Sequence, residues 1–409
     1  MSLGRRTFLA VTAVGAARVL GANDRIRCAT IGTGNRGIYL TRQFKEFGAE
    51  MAAVCDVYEP RLEQGLQAAS AGAKSFVDYR RLLEDKSIDA VIIATPDHWH
   101  AQMLVDAVDA GKDVYVEKPL AHTIEDGFRM VEAVRRTKRI AQVGTQRRSY
   151  PLYQEAKRII DSGVTGPIRL VNAWWMNSLK SLNARPLEGK LDWDLFLGPA
   201  PNRPLDPLRY FNWLQFYDYS IGYPIGQAAH IADGVQWMMN STYPLAVTCS
   251  SGKLNLEGGE IPETGSMSVE FPENYLLVFT LSYKAMRYRA FNDQMQQFHG
   301  EKARFDLGRE SYALYPQTMD VEVKASQERR EPDTFDSASG AHIRHFLDCV
   351  RARKEPNATI EMGHNTPTWS AVWPWNPCER GVGFAGTRKR SGRRPDSGTF
   401  RAIVDPGVH

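Results

Sequence analysis

Three groups of residues carry side chains that could do chemistry. The tripeptide Glu117-Lys118-Pro119 closes a short apolar run, Val114-Tyr115-Val116. A lysine held at the end of a buried strand can stabilise a developing oxyanion and, with a lowered pKa, move a proton. His230, in the second half of the chain, has the intrinsic pKa suited to an acid/base role. Gly32-Thr33-Gly34-Asn35-Arg36-Gly37 has the GxGxxG spacing of a dinucleotide-binding turn. These parts fit hydride transfer from a secondary alcohol. That reaction needs a nicotinamide facing the C–H bond, a base for the hydroxyl proton and charge to stabilise the alkoxide.

The elements around the glycine motif support this reading. The alternating run Arg25–Ile31 leads into it, and a helical segment follows from Ile38 to about Phe47. The first glycine permits the tight turn, the second lets the backbone approach a pyrophosphate, and the third lets helix pack on strand. A second strand, Glu50–Cys55, ends at Asp56, about 20 residues after the glycines. An acid there accepts hydrogen bonds from ribose hydroxyls and repels a 2′-phosphate, which favours NAD over NADP. Helices and apolar strands then alternate through Gly144, so the first domain is expected to be a parallel sheet covered on both faces. In such sheets ligands sit beyond the strand carboxyl ends. Gly32–Gly37, Thr95-Pro96-Asp97-His98-Trp99-His100 and Glu117–Pro119 all fall there and should face one crevice. Thr95, Pro96, His98 and His100, with Glu117 and Pro119, are therefore candidates for lining the cofactor. His98 and His100, two apart on an expected strand, share a face that zinc could use. No Cys or carboxylate set completes such a site, so no metal is expected.

From Pro151 the pattern changes. A helix over Tyr153–Ser162 leads to a strand over Gly166–Trp175, then to an aromatic, proline-rich excursion over Asp192–Tyr223. Long loops of this kind are usually functional, and aromatic faces mixed with Asn, Asp and Arg suit a sugar. Capping of the sheet or a subunit contact is the alternative. Trp174, Asp218 and Tyr219 join Lys118 and His230 as candidate substrate contacts. Gly226–Met239 reads as a helix with His230 and Asp233 on one face. The segments 246–251, 266–271, 275–283 and 294–299 read as strands, giving an antiparallel or mixed sheet. Ala341–Arg353 reads as an amphipathic helix.

The 409 residues are enough for two domains, and 43% apolar with 24% charged residues is a globular composition. No run of about 18 apolar residues is present to span a membrane. The net charge of +4 lies wholly after Asn365, where seven Lys/Arg face three Asp/Glu, so the neutral body implies no nucleic-acid partner. The five cysteines lack CxxC spacing and read as buried thiols. Arg5-Arg6-Thr7-Phe8-Leu9 before a modest apolar stretch resembles a twin-arginine export signal, with cleavage plausible after Ala22 and a periplasmic destination.

Together, the glycine motif, Thr95–Ala101, Glu117-Lys118-Pro119 and the helix around His230 resemble the glucose–fructose oxidoreductase and inositol dehydrogenase family, Gfo/Idh/MocA, over about Ile26 to His364. The resemblance implies a Rossmann domain over residues 24–146 and an α/β domain over 147–365 whose open sheet often makes homo-oligomer contacts. It implies catalysis and substrate binding for Lys118, a turn, often cis, at Pro119, and acid/base catalysis for His230. Its substrate would be a sugar or cyclitol. Relatives often carry an Asp four residues before the histidine; here that position is Gly226, and Asp218 or Tyr219 are the candidate replacements. Two further functions stay open: a glycosidase acting by transient oxidation, and a catalytically weakened sugar- or NAD-binding protein. After His364 the sequence departs from the family. Residues 366–409 hold Trp369, Trp373, Trp375 and the basic run Arg388–Arg394 without helical period. This tail reads as the product of a shifted reading frame, with the fold's closing helices missing.

Overall fold

The computed structural model describes residues 25–179, 181–251, 256–285, 293–319, 323–331 and 335–365, with two short strands beyond them. The first domain alternates as β1 (Arg27–Ile31), α1 (Asn35–Glu46), β2 (Glu50–Cys55), α2 (Glu59–Ala68), β3 (Lys74–Phe76), α3 (Tyr79–Leu83), β4 (Ala90–Ile93), α4 (Asp97–Asp109), β5 (Asp113–Val116), α5 (Ile124–Thr137) and β6 (Ala141–Val143). The strands form one parallel sheet in the order β3-β2-β1-β4-β5-β6. β4 and β5 are buried along their whole length, because helices cover both faces. The order reverses between β1 and β4, and a crevice opens beyond the strand ends at that point.

The second domain comprises α6 (Pro151–Asp161), β7 (Ile168–Met176), α7 (Trp193–Leu197), α8 (Pro207–Phe211), α9 (Gly222–Met239), β8 (Ala246–Ser251), β9 (Thr264–Phe271), β10 (Tyr275–Ser282), β11 (Gln294–Gly300), β12 (Ala303–Gly308), β13 (Ser311–Pro316) and β14 (Gln327–Arg330). Its sheet runs β14-β13-β12-β11-β7-β10-β9-β8 and continues into β15 (Val382–Ala385) and β16 (Ala402–Val404). It is mixed: β7 and β10 are parallel, the other pairs antiparallel. β7 alternates, with Val171, Ala173 and Trp175 turned into the core and Asn172, Trp174 and Met176 turned outward. Ala228, Ile231, Ala232 and Val235 of α9 pack on the inner face. Their i, i+3, i+4, i+7 spacing is what seats this helix on the sheet.

Two helices ahead of the tail return to the first domain. α10 (Phe335–Ala352) and α11 (Ile360–Asn365) cross back to the first domain. Ile343, Phe346, Leu347 and Val350 of α10 are buried against Phe44, Met51 and Tyr115. Phe346 meets the Phe44 and Tyr115 rings at 5.9 and 5.8 Å. The division at residue 147 is therefore one of sequence, because this apolar stripe completes the first domain's core. The tail after Asn365 lies outside the described residues except for β15 and β16.

Candidate functional site

The crevice holds two adjoining cavities. The larger, about 370 Å³, is floored by Gly32, Gly34, Asn35, Arg36, Asp56, Thr95 and Pro96. The smaller, about 290 Å³, is lined by Asp97, His100, Glu117, Lys118, Pro119, Gln146, Gly226 and His230. Arg36, Ala94, Thr95, Trp213 and Leu214 border both.

The larger cavity fits a dinucleotide. Gly32 has φ +86, and a Cβ there would lie 2.8 Å from the Ala94 carbonyl oxygen, so only glycine makes this turn. A Cβ on Gly37 would lie 1.8 Å from the Gly32 carbonyl oxygen, which is the close strand–helix approach expected of the third glycine. Gly34 caps α1 without a side-chain bond and has no described atom within 4 Å of an added Cβ, leaving first-turn N–H groups open to an anion. Asp56 is held rigidly: its Oδ2 accepts from Thr33 N at 2.7 Å and Thr33 Oγ1 at 3.2 Å, and its Oδ1 from Tyr58 N at 2.9 Å. Burial raises its carboxyl pKa against the pull of these donors. Thr33 is thus a support for Asp56 and does not itself line the cavity.

In the smaller cavity, Lys118 is half-buried and donates from Nζ to the Gly226 carbonyl at 2.9 Å. Burial lowers its pKa; Glu117 and Asp97 oppose that shift, and Arg36 and Arg147 reinforce it. Glu117 accepts from Arg36 Nε at 2.7 Å, which ties the glycine-motif helix to the β5 end. The Lys118–Pro119 bond is cis. His100 bridges the Pro119 carbonyl (Nδ1, 2.9 Å) and the Thr95 carbonyl (Nε2, 3.0 Å), so it joins the two strand-end turns. His230 lies one helical turn from Asp233 on α9. Its ring stacks on Trp175 at 6.1 Å, and its Nδ1 is buried with no partner among the described residues. Burial lowers its pKa well below the usual value, and Lys118, Arg147 and Arg36 lower it further.

Two family models match the chain in succession: the oxidoreductase family's NAD-binding Rossmann fold over residues 26–145, and its C-terminal alpha/beta domain over 192–369. The chain belongs to the Gfo/Idh/MocA oxidoreductase family. Similar proteins include the scyllo-inositol 2-dehydrogenase (NAD(+)) of Bacillus subtilis (strain 168), 39% identical over 145 residues, 35% of this chain and 42% of that protein. Glycosyl hydrolase family 109 protein 1 of Shewanella sp. (strain ANA-3) is 33% identical over 125 residues, 28% of this chain and 27% of that one. The matched stretches thus span less than half of these relatives. Among solved structures, levoglucosan dehydrogenase in complex with NADH and levoglucosan superposes with TM-score 0.69 at 16% identity, over 88% of this chain and 99% of that one. The myo-inositol dehydrogenase of Lactobacillus casei, in complex with NAD(H) and myo-inositol, gives 0.66 at 19% identity, over 90% and 98%. These two likenesses establish the fold.

Within this Gfo/Idh/MocA fold several expected site residues stand elsewhere. Asp97–His100 opens helix α4 instead of continuing a strand, so His98 and His100 point apart. His98 meets the Phe196 carbonyl at 3.0 Å and lines neither cavity. Among the described residues no group of three or more His, Cys, Asp or Glu is placed to hold a metal. Trp174 lies on the outer face of the sheet beside Met176, Val278 and Met295. Its neighbour Trp175 faces the site instead, because a strand reverses side-chain direction at every residue. Asp218 is taken up by Arg209 at 3.1 Å and by Arg203. Tyr219 is buried against His98 and Phe196 and gives its carbonyl to His98 N. Neither replaces the acid absent at Gly226. The aromatic excursion is also relocated. Phe196, Tyr210 and Phe211 roof the dinucleotide cavity, and Trp213 reaches both cavities. It is stitched to the β2–α2 turn by Glu59 N to Lys190 O and Asp192 N to Val57 O, both 2.9 Å, and by Tyr58 against Tyr210 at 5.2 Å.

Four residues of the site had no assigned role in the sequence reading: Asp97, Gln146, Arg147 and Trp175. Gln146 and Arg147 follow the end of β6 after two intervening residues, a strand carboxyl end like the other three, and that position was the available signal. Asp97 is buried and accepts from Ser220 Oγ at 2.7 Å. Burial raises its pKa, partly offset by His100 and the Ser220 bond.

Proposed function

We propose that this protein is an NAD-dependent oxidoreductase that moves a hydride between the cofactor and a secondary hydroxyl or carbonyl carbon of a sugar or cyclitol. The carrying observation is that Lys118 shares its cavity with Thr95, Gln146 and His230, whose Oγ1, Oε1 and Nδ1 are buried without a partner among the described residues, beside the cavity lined by the glycine motif and Asp56. A polyhydroxylated ligand supplies the donors and acceptors that such buried atoms need. Gly32, Gly34, Asn35 and Arg36 would hold the pyrophosphate side and Asp56 the ribose, and the bound nicotinamide would supply hydride acceptance. Lys118 stabilises the alkoxide as it forms. His230, neutral through burial, takes the hydroxyl proton. Trp175 fixes the plane of the His230 ring, and Asp97 partly balances the Lys118 charge.

The same reading takes residues 1–23 as an export signal, on the strength of Arg5-Arg6 and the apolar stretch that follows. It takes the chain as a homo-oligomer, supported by Trp174, Met176, Val278 and Met295 on the open sheet face. Among the described residues no helix is long and apolar enough to cross a membrane. Incubating the purified protein with NAD and a panel of sugars and cyclitols, while following reduced-nicotinamide absorbance, tests the assignment. Reduction with at least one polyol, lost in Lys118→Ala, is the expected result. Release of an aryl group from glycosides without net reduction would replace it with oxidation-dependent glycosidase chemistry.

A further inference from the structure

Two carboxylates, Asp97 and Glu117, and two cations, Arg36 and Lys118, line the smaller cavity. Glu117 pairs with Arg36 at 2.7 Å. Lys118 and Asp97 remain. Each feels the other's charge, yet among the described residues they form no ion pair with one another. The Lys118 ammonium gives one N–H to the Gly226 carbonyl and keeps two for a ligand.

Asp97 is 2% exposed and opens helix α4. Its Oδ2 accepts from Ser220 Oγ at 2.7 Å, and that hydroxyl accepts from Gly222 N at 2.9 Å, at the start of α9. One residue on, His98 N donates to the Tyr219 carbonyl at 3.2 Å. These bonds hold the carboxylate in place between the two domains, and they use one of its oxygens. Its Oδ1 has no hydrogen bond among the described residues, while Asp97 belongs to the cavity wall. Burial raises the Asp97 pKa; His100 on its own helix, Ser220, His122 beyond β5 and Lys118 all favour the charged form. An ionised carboxylate accepts hydrogen bonds and cannot donate them. A buried acceptor left without a donor is costly, and a ligand hydroxyl removes that cost. An ammonium and a carboxylate held apart in one cavity suit two oxygens on adjacent carbons, the first accepting from Lys118 and the second donating to Asp97.

We propose that Asp97 is a specificity-determining residue: its Oδ1 accepts from a hydroxyl on the carbon next to the one oxidised, while Lys118 holds the reacting oxygen. The substrate class is then a vicinal diol whose second hydroxyl is free. The acid that α9 lacks at Gly226 is supplied from the start of α4. The proposal rests on the polyol oxidoreductase reading and names the feature of the polyol that this site reads. A carboxylate that only strapped α4 to α9 through Ser220 would leave the neighbouring hydroxyl unread.

The test compares trans-cyclohexane-1,2-diol, whose two hydroxyl-bearing carbons are equivalent, with cyclohexanol and trans-2-methoxycyclohexanol. The methoxy compound keeps the second oxygen and loses its proton. kcat/KM is measured with NAD on the full-length protein, and binding by quenching of NADH fluorescence. The diol should exceed both other compounds by about tenfold or more. Asp97→Asn can keep the Ser220 bond through its amide oxygen and turn an N–H group to the cavity, so the gap between diol and methoxy compound should close. The melting temperature checks that this variant folds; if it does not, the wild-type comparison decides. Cyclohexanol or the methoxy compound oxidised as well as the diol, or a diol preference that survives in folded Asp97→Asn, would overturn the proposal. Where none of the three is oxidised, binding to the NADH-loaded protein decides: a diol that binds tighter supports the proposal, and equal or undetectable binding overturns it. The oxidoreductase reading is judged separately by the sugar and cyclitol panel, so either can fail without the other.

Discussion

Asp233→Ala should damage both the fold and the chemistry. Its carboxylate accepts from Arg148 Nε at 2.8 Å, with the two side chains 2% and 7% exposed. Burial raises the Asp233 pKa despite the pull of Arg148, so the pair itself is only a modest source of stability. Breaking it is different, because Arg148 is left charged, buried and alone. That situation costs about 3–5 kcal/mol. At roughly 2 °C per kcal/mol for a chain of this size, the melting temperature should fall by about 6–10 °C. Asp233 is also one turn from His230 on α9, and the freed guanidinium adds to the cations around that ring. A fall in kcat of about tenfold, ~1.4 kcal/mol, is therefore expected alongside the thermal shift. Differential scanning calorimetry and steady-state kinetics check both effects. The double variant Arg148→Met/Asp233→Leu removes both charges and should lose less stability than Asp233→Ala alone. A melting temperature within about 1 °C of wild type for Asp233→Ala, or a double variant that loses the sum of the single losses, would refute the account.

Lys118→Ala should lower kcat about 10²–10³-fold while NADH binding, read by fluorescence, changes only severalfold; kcat within about tenfold of wild type would remove Lys118 from the chemistry. Gly32→Ala combines a positive φ with a contact at 2.8 Å and should weaken NADH binding by about tenfold or more, measured by fluorescence titration. Burial pushes the pKa of His342 down from 6.5 to about 3, and those of His98 and His364 to about 4. Unfolded, each of these rings binds a proton between about pH 4 and 6.5 that the folded protein refuses. Their contribution to stability is therefore complete above about pH 6.5 and is lost as pH falls, at about 1.4 kcal/mol per unit for each fully shifted ring. Urea midpoints that stay equal between about pH 7 and 5 would contradict this.

The sequence by itself determined the first domain. GxGxxG between a strand and a helix, an acid about 20 residues on, and uninterrupted apolar strands leave few alternatives to a doubly wound sheet. Those features are local, so spacing carries them. It also placed Lys118 at a strand end and His230 on a helix, and the structure brings these into one pocket. What it misassigned depended on direction or on long-range packing. Trp174 and Trp175 are equivalent by composition, and only the docking of α9 decides which faces His230. The residues after Pro96 follow directly on the apolar run of β4 and read as its continuation, yet they start α4, whose first turn is buried. The aromatic excursion resembles a sugar platform in sequence and becomes the roof of the cofactor cavity only because Tyr58 and the β2–α2 turn receive it. The return of α10 to the first domain is likewise invisible to local pattern, since an apolar stripe does not name its partner. Arg147 shows the same limit most plainly. Its charge is written in the sequence, but its placement, on the Gln294 side chain and behind the indole that carries His230, comes from contacts between residues far apart in the chain.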